Sequence, residues 1–173
     1  MAQNVFFSPY SFYSLQRLVP YLRNQSEDCL YLNIYAPVTG NRRNLMSVVV
    51  FIHGESFDWG TGNVYDGRTL AGYGQIVVVT FNYRLGALGY LRPNAAGGSV
   101  ANFALLDQIA ALNWIKENIE QFGGDPRSVT VMGHGAGAVA THLLMTSPVA
   151  HGNGKATGES RAFVAYSISG NTI

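Results

Sequence analysis

Two runs of this 173-residue chain, SVVVFIHG (47–54) and IVVVTFNY (76–83), limit its fold more than any other feature. Each is close to continuously β-branched or aromatic, without the polar alternation of a strand that has one wet face. Strands of that kind are buried on both sides, which calls for helices above and below a mainly parallel sheet. The remaining segments supply them. CLYLNIYA (29–36) alternates apolar and polar residues and stops at Pro37, as a half-exposed strand does. TLAGYG (69–74) reads as a short helical turn. The longest helix is predicted over 102–122, with Leu105, Ile109, Leu112, Ile115 and Ile119 at spacings of three and four and Gly123-Gly124 ending it. GGDPRS (123–128) reads as a turn, VTVMG (129–133) as a strand, GAVATHLLMT (137–146) as a helix stopped before Pro148, and AFVAYSIS (162–169) as a last strand. Residues 150–160 form a polar, glycine-rich loop. The predicted class is α/β.

Composition removes several functions. Net charge is +1 and no basic cluster exceeds Arg42-Arg43, so nucleic acid is not an expected partner. A hydrophobic fraction of 47% against 12% charged residues specifies a packed core, not a disordered chain. No apolar run reaches the ~20 residues of a membrane span, and the first residues lack the pattern of a signal peptide. Asn24-Gln25-Ser26 is a glycosylation sequon, which makes Asn24 a candidate site in a secreted or surface protein. Cys29 is the only cysteine. His142 and His151 have no ligand-like partner at i+4, so no metal site is expected.

Chemistry concentrates in VTVMGHGAGAVATHLL (129–144), a strand, a glycine turn and a helix. Gly133 to Ala138 fit G-x-G-x-x-A, a dinucleotide fingerprint. That fingerprint belongs on the first strand of its unit, with an acid ending the next strand. Here the turn follows several strands, the next one ends in Ser169-Gly170, and Glu159 lies before it, so no cofactor is expected. The same stretch fits G-x-S-x-G, the nucleophile elbow of α/β-hydrolases, with Gly135 where the serine belongs: Gly133, His134, Gly135, Ala136, Gly137. An elbow holds its nucleophile at an unfavourable φ/ψ, a strain of about 1–3 kcal/mol that glycine escapes. In that fold an H-G-G-G-type loop after an early strand donates amides to the oxyanion. The loop here is His53, Gly54, Glu55, Ser56, so the oxyanion site is degenerate too, with a carboxylate where negative charge would gather. No catalysis is expected. Scaffolding accounts for the glycines equally: they permit close strand-helix packing. Asp66 is expected to cap a turn, Asp107 to form a salt bridge on a helix face, and His53 to be a packed loop histidine.

SEDCLYLNIYAP (26–37), GTGNVYDGRTLAGYGQIVVVTFNYRLGALGYL (60–91), NFALLDQIAALNWIKENIEQFGGDPRSVTVMGHGAG (102–137) and FVAYSISGN (163–171) resemble, in order, the type-B carboxylesterase and cholinesterase superfamily. Within it the serine-less elbow and the FIHGES loop (51–56) resemble the neuroligins, particularly the arthropod kind. The resemblance implies an α/β-hydrolase fold, N-terminal part only and incomplete at both ends: a divergent segment over 1–16 and, over 17–173, roughly the first third of the family domain. It implies a non-catalytic adhesion receptor at the postsynaptic surface, with neurexin as partner and a homodimer as the assembled state. It also implies that Cys29 matches a cysteine whose disulfide partner lies upstream. The triad acid and histidine, the neurexin-contacting surface, the dimer helices and the membrane span would all lie outside these residues. Two other readings remain: a carboxylesterase, if residue 135 were serine, and a truncated product without function of its own. A chain so shortened is expected to be marginally stable.

Overall fold

The computed structural model describes residues 16, 18–23, 25–38, 44–92 and 102–148, together with the backbone of 161–166. Asn24, His151, the loop 150–160, the end of the last predicted strand and nearly all of the segment 1–16 lie outside the described residues. Five strands form one sheet: β1 (Leu32–Tyr35), β2 (Met46–Ile52), β3 (Val77–Phe81), β4 (Gly124–His134) and β5 (Arg161–Tyr166). Their spatial order is β1-β3-β2-β4-β5. β1 runs antiparallel to β3 and every other pairing is parallel, in registers such as Val48 with Val77 and Phe51 with Met132. Among the described residues β5 is an edge strand.

The two β-branched runs are buried as their composition requires. Val48, Val50, Ile52, Val77, Val79, Phe81 and Val131 face one side of the sheet at 0–1% exposure. They form one cluster with Ala104, Leu112, Ile115 and Ile119 from α3 (Phe103–Asn118) and its extension, and with Ala140 and Leu144 from α4 (Ala136–Thr146). Each large side chain so buried contributes roughly 1.5–3 kcal/mol. On the opposite face α1 (Arg68–Gly74) lies against β1 and β3: a methyl on Gly67, at its N-terminus, would meet Tyr35 and Val78 within 2.8 Å.

Several boundaries differ from the sequence expectation for identifiable reasons. β1 is shorter than 29–36. The predicted helix 102–122 tightens into a 3-10 turn over Ile119–Phe122 and stops at Gly123, whose φ of 85° suits glycine. The turn expected at 123–128 is absorbed into β4. Gly124 pairs with Met46, the register then shifts, and within the bulge Asp125 accepts the Arg127 amide at 2.9 Å as a turn would. A five-residue helix, α2 (Gly86–Tyr90), and a 3-10 turn at Gly62–Val64 carry no hydrophobic periodicity long enough to foretell them. In α3 the buried stripe is Ala104, Gln108, Leu112 and Ile115, while Leu105 and Ile109 are only partly buried. The small Ala104 lets α2 approach, a methyl on Gly89 falling 3.1 Å from its Cβ.

Candidate functional site

β2 lies between β3 and β4, so the chain leaves its carboxyl end first to one side and later to the other. In parallel sheets the crevice at such a switch point is where ligands bind. The loop after β2 (His53 to Gly60) and the turn from β4 into α4 meet there.

Their contact is backbone on backbone. A methyl on Gly54 would strike the Gly137 amide and lie 2.8 Å from the His134 carbonyl oxygen. A methyl on Gly137 would lie 2.9 Å from the His53 carbonyl oxygen and closer still to that of Ile52. No side chain fits at either position, and for Gly137 this is the close-packing role expected of the glycines of 133–137. Gly135 is at the apex with φ 56° and ψ −123°, a conformation that L side chains rarely adopt. Ala138 and Val139 donate to its carbonyl oxygen and start α4.

The loop also passes close to this apex. A side chain on residue 135 would place its Cβ 3.1 Å from the Gly54 carbonyl oxygen, 3.7 Å from the Gly54 carbonyl carbon and 3.6 Å from the Glu55 carbonyl oxygen. Both oxygens thus lie close to the place a side chain at residue 135 would take.

His53 anchors the loop. It is 1% exposed, its ring stacks on Tyr83 with centroids 4.5 Å apart, and the Tyr83 hydroxyl donates to its carbonyl oxygen. Burial holds the imidazole down at about 4 and pushes the Tyr83 hydroxyl up. Neither ring nitrogen has a hydrogen-bond partner among the described residues, and a methyl on Gly60 would fall 2.7 Å from Nδ1. His53 is the packed loop histidine that the sequence suggests. Gln108, fully buried with its amide likewise unpaired among the described residues, was not foreseen, because it sits on a helix whose apolar stripe reads past it.

Beside the crevice, Phe51, Glu55, Tyr65, Met132, Gly133 and His134 line an open cavity of about 420 Å3. Phe51 and Tyr65 pack with ring centroids 4.5 Å apart. Burial first, and then the nearby Glu55 carboxylate, raise the Tyr65 hydroxyl. The other singled-out residues stand apart. Asp66 accepts the Arg68 amide at 3.0 Å and closes the turn before α1. Asp107 receives the Arg84 guanidinium at 2.7 Å and its amide at 3.0 Å. Cys29 is a half-buried free thiol whose carbonyl accepts from Asn82 Nδ2 at 3.0 Å. Among the described residues no group of acids, histidines and cysteine clusters as metal ligands, and no helix is long and apolar enough to cross a membrane.

Comparison with known proteins places this architecture. The carboxylesterase family model matches residues 3–159. Neuroligin-1 of Caenorhabditis elegans is 47% identical over 77% of this chain, which spans 17% of that protein. The para-nitrobenzyl esterase of Bacillus subtilis is 47% identical over 76% of this chain and is spanned to 27%. The solved structure of a thermophilic PNB esterase superposes on 75% of this chain with a TM-score of 0.70 and 46% identity, and 27% of it is covered. The sheet and its flanking helices thus form part of an esterase fold, shared with catalysts and neuroligins alike. The chain belongs to the carboxylesterase family, and within it the sequence fits the neuroligins.

Proposed function

We propose that this chain is part of a non-catalytic, neuroligin-type adhesion receptor in which the esterase crevice survives as scaffold. The observation that carries the reading is Gly135. The apex of the turn holds no nucleophile. Acyl transfer needs a side chain to attack and donors for the oxyanion that forms, and a backbone supplies no nucleophile. Glu55 adds a carboxylate to the same loop. His53 and Gly54 keep the family's loop start, while Glu55 and Ser56 stand where the amide-donating glycines belong. By the same resemblance the protein acts at the cell surface with neurexin as partner, Asn24 carries glycan, and Cys29 pairs with a cysteine outside these residues.

Two measurements on the native protein test this. A fluorophosphonate that labels activated serines should leave it unlabelled, and p-nitrophenyl acetate should turn over no faster than in buffer. Immobilised neurexin ectodomain should retain it. Stoichiometric phosphonate labelling would return the protein to the esterases, whose sequences match equally well. Failure of neurexin to retain it would remove the adhesion reading and leave the crevice without a nucleophile all the same.

A further inference from the structure

The loop after β2 has a cover. Residues 18–22 are helical, and Leu18 and Leu22, four apart and so on one side of the turn, are half-buried while Val19, Tyr21 and Arg23 are exposed. Leu18 and Leu22 close over the loop, sharing with His53, Glu55, Trp59 and Tyr65 the walls of a cavity of about 10 Å3, room for one water at most. Among the described residues no hydrogen bond or ion pair ties 18–23 to that loop; the bond from Gln25 Nε2 to the Leu22 carbonyl oxygen, 3.0 Å long, stays within the segment. Pro20 also deprives the turn of a backbone donor. Two leucines therefore hold the cover, and segments with so few buried contacts open locally without unfolding the rest. Beneath it His53 is 1% exposed, with both ring nitrogens unpaired among the described residues. A neutral ring tolerates that enclosure and a charged one does not.

We propose that residues 18–22 are an acid-released strap, shut over the loop while His53 is neutral and lifted when its imidazole takes up a proton. Shut, the strap helps to keep the imidazole at about 4; lifted, it lets water bring the ring back towards 6.5. The lifted state therefore binds more protons between these values, and lowering the pH from 7.5 to 5.0 favours it by up to about 25-fold. Of the titratable and charged groups nearby, Tyr83 stacks on the ring, and Glu55 and Tyr65 stand on the cavity wall. Asp58 in the same loop, His134 at the end of β4 and Arg23 on the strap are not among the walls. The inference depends neither on Gly135 nor on an adhesion partner.

Hydrogen–deuterium exchange of the native protein at pH 7.5 and 5.0, each amide corrected for its intrinsic rate, tests it. A lone turn does not persist once lifted, so the amides of Tyr21 and Leu22 report the strap. Their protection should lie well below that of β2 and β3 at both pH values and fall by about 25-fold between them. His53→Gln should abolish the fall, and Glu55→Gln should keep it. Leu22→Ala, which leaves His53 in place, should lower the same protection already at pH 7.5. Protection at Tyr21 and Leu22 that ignores pH would overturn the proposal. So would a fall that survives in His53→Gln or disappears in Glu55→Gln, or an unchanged protection in Leu22→Ala. Protection equal to that of β2 and β3 would also overturn it, since the strap would then move only with the whole fold.

Discussion

The core beneath α3 and α4 and the crevice at the strand ends are a few residues apart, and they are built on opposite rules. In the core, Val48, Val50, Val77, Val79 and Ile115 are apolar, fully buried and in regular secondary structure. At the crevice, His53 is buried with both ring nitrogens unpaired among the described residues, and Phe57, Gly60 and Gly135 take positive φ. Three backbones also meet there without room for a methyl. Left-handed backbone and unpaired buried polar groups are costly, and they collect where a fold was shaped for chemistry. On the function proposed above, the frame of an esterase crevice is kept without a nucleophile because the frame is also how β2, β4 and α4 are joined.

If the join is structural, breaking it should outweigh any core truncation. Gly137→Ala drives a methyl into the carbonyl oxygens of Ile52 and His53. Neither strand end can retreat without parting β2 from β4, so the variant should lose more than about 4 kcal/mol or fail to fold. Urea denaturation of the native protein and the variant measures it. A loss under about 1 kcal/mol would mean that the contact is soft and the comparison wrong.

Acid probes the same region next. Burial lowers the His53 imidazole from 6.5 to about 4, so the folded state keeps it neutral where the unfolded chain takes up a proton. The unfolded state therefore binds more protons between these values. Stability from neutral His53 is complete above pH 6.5 and falls as pH drops towards 4, by roughly 3 kcal/mol in all. Denaturation midpoints from pH 7.5 to 4.5 should show this slope in the native protein and lose it in His53→Gln. An equal slope in both would assign the acid sensitivity elsewhere.

Gly135 separates strain from function. Gly135→Ala should cost about 2 kcal/mol, because φ 56° with ψ −123° is strained for any L residue and the methyl meets the Gly54 oxygen at 3.1 Å. Gly135→Ser should cost about as much and stay inert to fluorophosphonate, since Glu55 and Ser56 stand where the amide-donating glycines belong. Labelling of that variant would show that the loop can still stabilise the charge on the adduct and is not degenerate.

These regions also differed in how far the sequence foretold them. Continuous β-branched runs announced β2 and β3, and the spacing of Leu112, Ile115 and Ile119 announced α3, because burial imposes a pattern on many residues at once. Gly135 and the His53-Gly54 loop start were legible because close backbone contact and positive φ admit glycine and little else. α2 escaped for want of length, and Gln108 because a wide apolar stripe conceals a single polar member. The Asp66 turn and the Asp107 ion pair, both local and chemically specific, came out as the sequence suggested.

The smallest effect belongs to a pair far from both regions. Asp66 and Arg68 are exposed, with Arg68 Nη2 2.7 Å from the carboxylate, and the hydrogen bonds from Arg68 hold the Asp66 carboxyl below its usual range. A lowered carboxyl stabilises above the ordinary value near 3.8 and loses that contribution as pH falls through the folded one, below the His53 window. Water screens the pair and both side chains surrender freedom to form it. Asp66→Asn keeps an acceptor for the Arg68 amide and should leave the melting temperature unchanged within error, at pH 7.5 and at pH 4.5. A clear drop at both pH values would mean that surface charge contributes to stability here. The acid slope assigned to His53 would stand even then, because the Asp66 carboxyl titrates below that window and adds no slope within it.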